Sequence, residues 1–171
     1  MADNNIIFIG MPAAGKSTVG VVIAKRLGYK FVDTDILIQE SEGKLLKDII
    51  ADVGPDGFLK VEDRVNAQVK AERTVISPGG SVVYCENAMK HYKEIGKALI
   101  IIFVRFSVLG IFNDSFRTAG GYSAIWLIVL YCIGVLAKRV KLFEKYADIT
   151  VCEDNQKLED TIESVLDALG E

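Results

Sequence analysis

Ile6-Ile7-Phe8-Ile9-Gly10-Met11-Pro12-Ala13-Ala14-Gly15-Lys16-Ser17 is the stretch on which the fold turns. An apolar run of strand length enters the pattern GxxxxGK[ST], and a helical pattern from Thr18 to Leu27 leaves it. A loop placed between a strand and a helix N-terminus gathers unpaired backbone N–H groups and the positive end of the helix dipole at one point, which suits a polyphosphate. The expected nucleotide cradle is Gly10, Ala13, Ala14, Gly15, Lys16, Ser17 and Thr18. Lys16 would reach the β- and γ-phosphates and the Ser17 hydroxyl would ligate Mg²⁺. The motif points to a nucleoside triphosphate and leaves the acceptor of any transferred group open.

The 171 residues suffice for one domain, 1–171, with a substantial core, and no linker or repeat divides them. A formal net charge of -3 supplies no basic field for nucleic acid, so the expected partner is a small molecule and the expected state a monomer. Cys85, Cys132 and Cys152 are odd in number and far apart, which fits reduced thiols better than a disulfide framework or a zinc cluster. The N-terminus carries no signal-like apolar leader, and a cytoplasmic location is expected.

Short apolar runs alternate with helical patterns along the chain. That is the signature of an α/β, three-layer domain around a parallel sheet. The five strands expected are Ile6 to Ile9, Lys30 to Val32, Thr74 to Ser77, Ala98 to Val104 and Ile149 to Val151. Gly28 is the expected C-cap of the first helix. Apolar residues at Phe58, Val61, Val65 and Val69, and again at Leu158, Ile162, Val165 and Leu169, predict two amphipathic helices.

Asp33-Thr34-Asp35 follows the second strand, at the strand end where open α/β sheets place ligands. Two carboxylates there can divide the work of phosphoryl transfer to an alcohol: one holds the water shell of Mg²⁺ and the other accepts the proton of the attacking hydroxyl. The alternative is an Asx turn capping a helix. After the third strand, Ser77-Pro78-Gly79-Gly80-Ser81 gives either a close backbone approach for a ligand or an ordinary turn. His91 is read as a solvated surface residue, and Cys152-Glu153-Asp154-Asn155 as a loop ending in a helix cap.

The cradle, Asp33-Thr34-Asp35, the glycine pair at 79 and 80, and the run Arg139 to Asp148 before the last strand together resemble shikimate kinase, across residues 5 to 104 and 138 to 151. The resemblance implies a P-loop NTPase fold like that of the nucleoside-monophosphate kinases. It implies ATP and Mg²⁺ as cofactors, shikimate 3-phosphate as product, and a place in aromatic amino acid biosynthesis. It assigns Ser17 and Asp33 to the metal, Lys16 and Asp35 to catalysis, and Asp35, Gly79, Gly80 and Arg139 to the acceptor. Asp35 would be the base. Arg139 would hold the acceptor carboxylate, for which a guanidinium presents paired donors. The loop at Cys152 would lie beside adenine. A kinase for another small hydroxylated metabolite, or a nucleotide-binding protein with impaired transfer, are the alternatives.

Two departures from the family pattern stand out. The family has an arginine after the phenylalanine at position 58, whereas here Leu59 follows; Lys60 is turned about 100° around the helix and is no substitute. The family's lid, which brings arginine over the phosphates, falls where residues 108–137 are anomalously apolar, with twenty uncharged residues from Thr118 to Ala137. Arg117 is the one basic residue there and the candidate lid arginine. Such a tract is long enough to cross a bilayer, but a span inserted before the last strand would pull the sheet apart, so no membrane anchor is expected. Resemblance is lost and regained with length preserved, and no acidic residue occurs from Ser115 through Phe143. A replaced segment, or one read out of frame between compensating shifts, leaves that trace. Sequencing the coding DNA separates the two: a frame shift predicts an alternative frame encoding a polar, arginine-bearing segment between Ser107 and Lys138.

Overall fold

The computed structural model describes residues 5–12, 14–103, 138–139, 141–153 and 158–170. Five strands, β1 (Asn5–Ile9), β2 (Lys30–Asp33), β3 (Thr74–Ser77), β4 (Gly96–Phe103) and β5 (Ile149–Glu153), form one sheet in the order β2-β3-β1-β4-β5. Every pairing is parallel. The helices are α1 (Lys16–Leu27), α2 (Thr34–Glu42), α3 (Leu46–Asn66), α4 (Glu86–Ile95) and α5 (Leu158–Leu169), and residues 138–139 and 141–146 are also helical.

β1 is central and wholly apolar after Asn5 because it is covered on both faces, the usual condition of a parallel sheet. Its alternate residues divide between two cores. Ile7 and Ile9 pack with Ile76, Ala88, Met89, Tyr92 and Phe143 on one side. Ile6 and Phe8 pack with Val19, Ile23 and Ala24 of α1 and Ile162 and Val165 of α5 on the other. Burying each such side chain contributes about 1.5–3 kcal/mol. A smaller cluster of Ile38, Ile49 and Val65 joins α2 to α3 beside the sheet.

Gly28 does end α1, with φ of 65° and its N–H turned back to the carbonyls of Ala24 and Lys25. The α3 region departs from the sequence reading. Helix begins at Leu46, breaks at Gly54 (φ 70°) and resumes through Pro55, while Val69 lies beyond its end and is buried in the turn that follows. Proline lacks the N–H that a helix's first turn leaves unpaired, so it opens the second half of α3 at no cost in hydrogen bonds. His91 also differs from expectation: it is half-buried, with Nε2 2.7 Å from the Val69 carbonyl oxygen. Val104 and residues 108–137 lie outside the described residues. Among those described, no helix is long and apolar enough to cross a membrane.

Asn5 fastens the start of β1. Its Nδ2 donates to the carbonyls of Ala71 (2.7 Å) and Ile95 (2.9 Å), and its Oδ1 accepts from the Thr74 N–H at 3.0 Å. A side chain at Gly96 would meet the Asn5 carbonyl oxygen at 2.5 Å, so the chain enters β4 through a residue without one. Asn5→Ala would leave three backbone groups short of partners at a position that is 2% exposed. We expect it to lower the unfolding free energy by about 3 kcal/mol, read by urea denaturation.

Candidate functional site

β1 delivers the chain to Gly10 (φ 159°), and Gly15 turns it into α1 with φ of 73°, a left-handed conformation that glycine adopts without strain. No side chain caps α1, so the N–H groups of its first turn stay open to a ligand. Lys16 is 8% exposed, and its ammonium donates to the carbonyls of Gly10 (3.1 Å) and Met11 (2.9 Å). Burial pulls its pKa below the usual lysine range; Asp35 and Asp33 oppose that shift, and Arg139 adds to it.

Asp33 caps α2, one of the two readings its sequence left open, and also reaches Ser17. Its Oδ1 accepts the Asp35 N–H at 3.0 Å and so caps α2, while its Oδ2 accepts the Ser17 hydroxyl at 3.0 Å. Ser77 Oγ lies 3.1 Å from Ser17 Oγ. Three oxygen-bearing side chains from β2, β3 and α1 therefore meet at the mouth of the cradle. Asp35, in the first turn of α2, has its pKa raised by burial and by Asp33, against the pull of Lys16. A cavity of about 420 Å³ lies between these groups, walled by Pro12, Ala14, the Gly15-to-Thr18 turn, Asp33, Asp35 and the Ser77-to-Gly80 loop. It opens at the carboxyl ends of β1, β2 and β3, the position open α/β sheets use for ligands.

The two glycines line this cavity for reasons that differ from each other. A Cβ at Gly79 would fall 2.5 Å from Glu62 Oε1 and 3.1 Å from Asp35 Oδ1. A Cβ at Gly80 would fall 2.5 Å from Pro12 Cδ and 2.7 Å from its backbone nitrogen, so the loop after β3 packs directly on the nucleotide loop. Arg139, expected at the acceptor, is not among the described residues that wall this cavity. Its guanidinium lies 5.6 Å from the Tyr84 ring centre, and its Nε is buried without a hydrogen-bond partner among the described residues. Leu59 packs against the core that holds Ile76 and Tyr92. Lys60 is exposed.

Glu62 is the site residue that sequence reasoning missed. It is 0% exposed, and its Oε2 accepts from the Ser81 hydroxyl at 2.6 Å and faces Cys85 Sγ at 3.8 Å. Its Oε1 has no partner among the described residues. The signal was present: Glu62 follows Phe58 by four residues and precedes Val65 by three, which sets a carboxyl on the apolar face of α3. Ala13, Arg117 and Asp154-Asn155 lie outside the described residues.

A sheet of this order with a Gly-rich loop opening α1 and the Asp33–Asp35 carboxylates where β2 passes into α2 defines an α/β protein of the P-loop class. A family profile described as shikimate kinase matches residues 12–170. Among curated proteins, the chain is 32% identical to a shikimate kinase of Rippkaea orientalis, over 96% of this chain and 87% of that one. It is 42% identical to one of Clostridium botulinum over 93 residues, and there the chain spans about half the relative's length (55%). Among solved structures, the shikimate kinase of Acinetobacter baumannii in complex with shikimate superposes with a TM-score of 0.74 at 25% identity, covering 97% of this chain and 92% of that one. The chain belongs to the shikimate kinase family.

The Gly80 packing has a consequence for nucleotide binding. Gly80→Ala must displace Pro12, a rigid ring in the phosphate loop, and is expected to weaken Mg-nucleotide binding at least tenfold. Titration calorimetry with Mg-ADP, on a variant whose melting temperature is checked first, reads the effect.

Proposed function

We propose that this chain transfers the γ-phosphoryl of ATP to a hydroxyl of shikimate, giving shikimate 3-phosphate and ADP. The observation that carries the proposal is the meeting of Lys16, the Ser17–Asp33 pair and Asp35 around one cavity in a chain of this family. The shikimate bound in the Acinetobacter relative supports the choice of acceptor.

The nucleotide phosphates occupy the open N–H groups of α1, and Lys16 exchanges the Gly10 and Met11 carbonyls for phosphate oxygens. The Ser17, Asp33 and Ser77 oxygens form a hard-donor set of the kind Mg²⁺ takes when phosphates supply the remaining ligands. Bound there, Mg²⁺ would neutralise charge on the β- and γ-phosphate oxygens. The acceptor oxygen forms the new bond to phosphorus while the bond to the β-bridging oxygen breaks, and Asp35 takes the hydroxyl proton. Arg139, whose buried Nε has no partner among the described residues, would meet the acceptor carboxylate. A second reading, another small hydroxylated metabolite as acceptor, is favoured by Leu59, which stands where the family pattern has a carboxylate-binding arginine.

Lys16→Ala is expected to lower kcat by about 10³-fold, because it removes charge stabilisation of the transferring group; a coupled ADP-release assay with shikimate measures it. That assay, run with a panel of hydroxy acids, also identifies the acceptor, and no ADP release with shikimate would overturn the reading.

The pH dependence follows from the same groups. Asp35 acts as base only when ionised, and its pKa is raised, so kcat falls with acidification at a higher pH than an ordinary carboxylate would give. Lys16 acts only when charged and its pKa is lowered, which brings the alkaline limb below the usual lysine range. A kcat profile measured in overlapping buffers tests both limbs, and Asp35→Asn is expected to abolish the acid limb along with most of the rate.

The lid makes a separate demand. An arginine over the transferring group is worth about 10³ to 10⁵ in rate, and the tract from Thr118 to Ala137 contains none. Grafting a polar, arginine-bearing segment between Ser107 and Lys138 is expected to raise turnover at least tenfold in the same assay.

A further inference from the structure

We propose that Tyr84 is a positioning residue of the acceptor site, whose ring holds the Arg139 guanidinium by one face and leaves its N–H edges free for the acceptor carboxylate. The proposal rests on the acceptor reading of Arg139 above and adds the residue that orients it.

Tyr84 occupies a place that core packing does not explain. The loop after β3 closes into a single tight helical turn, Val82–Tyr84, with the Val82 N–H on the Gly79 carbonyl at 3.2 Å and the Tyr84 N–H on the Ser81 carbonyl at 2.9 Å. Val82 and Val83 are 0% and 2% exposed, whereas Tyr84 is 41% exposed. Two valines thus anchor the turn, and the tyrosine is presented outward from it. Phe143, four residues after Arg139, is buried in the same cluster as Val82 and Val83. That shared core brings Arg139 to Tyr84, with the guanidinium carbon over the ring and 5.6 Å from its centre, within the range of cation–π attraction. The turn is hydrogen-bonded back to Gly79, so the ring and the glycine wall of the cavity belong to one short segment.

A ring differs from an acid as the partner of an arginine that must bind an acid. A resident carboxylate would take the guanidinium by its edge and use the paired N–H donors that an acceptor carboxylate needs. An aromatic face attracts the cation and takes none of those donors. Arg139 is close enough to Lys16 and Glu62 for its charge to act on both, so the direction in which its donors face bears on the whole site. Contact with Tyr84 sets the guanidinium plane before a ligand arrives, and a side chain already ordered loses less freedom on binding.

Tyr84→Phe keeps the aromatic face and Tyr84→Leu removes it, at a position exposed enough for both variants to fold, which melting temperatures check. Calorimetry should give Tyr84→Phe a Kd for shikimate within twofold of the unchanged chain and Tyr84→Leu a Kd about fivefold weaker, the size of one partly exposed cation–π contact. The Kd for Mg-ADP should be unchanged in both. In ¹⁵N-labelled protein without ligand, the Arg139 Nε–Hε signal is assigned by its loss in Arg139→Lys. The ring should shift it upfield in the unchanged chain and in Tyr84→Phe, and it should return to the ordinary arginine position in Tyr84→Leu. An Arg139 signal that ignores Tyr84→Leu, Tyr84→Phe binding shikimate as weakly as Tyr84→Leu, Tyr84→Leu binding it as tightly as the unchanged chain, or an equal loss of Mg-ADP affinity would each overturn the proposal. If the unchanged chain does not bind shikimate, the acceptor reading fails on its own. The ligand-free Arg139 signal then decides for Tyr84: a ring-shifted signal lost in Tyr84→Leu sustains its hold on the guanidinium, and an unshifted one overturns it.

Discussion

Burial of β1 on both faces is the constraint from which the site follows. A strand enclosed in this way cannot shift its register by one residue without exchanging the two cores that Ile6 and Phe8, and Ile7 and Ile9, separately fill. Asn5 pins one end of it to the turns before β3 and β4. The other end has one direction in which to leave, and Gly10 and Gly15 bend the chain there into α1. The cradle is therefore as rigid as the sheet that aims it, and the parallel neighbours β2 and β3 bring Asp33 and Ser77 to the same edge because all three strands run the same way. The hydrogen bonds of Ser17 with Asp33 and Ser77 then tie helix and sheet at one point.

Polar crowding at that point is the cost of the arrangement. Asp33, Asp35 and Lys16 line one cavity, and Glu62 and Arg139 lie near enough to act on the Lys16 charge; like charges about 4 Å apart repel by about 4 kcal/mol at an effective dielectric of 20. The fold spreads this load unevenly. Asp33 is satisfied by a backbone N–H and a hydroxyl, Asp35 is drawn by the Lys16 charge, and Glu62 receives two donors on one oxygen and, among the described residues, none on the other. Glycine at 79 keeps clear the place beside two of these carboxyl groups, where a Cβ would fall 2.5 Å from Glu62 Oε1 and 3.1 Å from Asp35 Oδ1.

Local sequence carried the cradle because its geometry is local: loop, helix start and both glycine turns lie within eight residues of one another. It carried the strands and the Asp33–Asp35 placement because apolar runs and strand ends are read directly from the order of residues. It did not carry the start of α3, where Pro55 hides a helix that begins at Leu46 and restarts after Gly54. Nor did it carry Glu62 or the coupling of Gly80 to Pro12, because those contacts join residues about twenty and seventy positions apart and depend on how α3 and the β3 loop lie on the sheet. His91 read as solvated for the same reason: its partner, the Val69 carbonyl, belongs to a turn whose burial no short window discloses.

Replacement of one cation by Leu59 alters more than the affinity for an anion. In a buried pocket a carboxylate and its counter-ion are mutually dependent, and removing one leaves the other to bear the full desolvation cost. That cost shows in the pKa of Glu62, which burial raises, while Leu59 packs against the core that holds Ile76 and Tyr92. The departure at Leu59 therefore falls on α3 and its carboxyl, not on the nucleotide loop from which the fold was first legible.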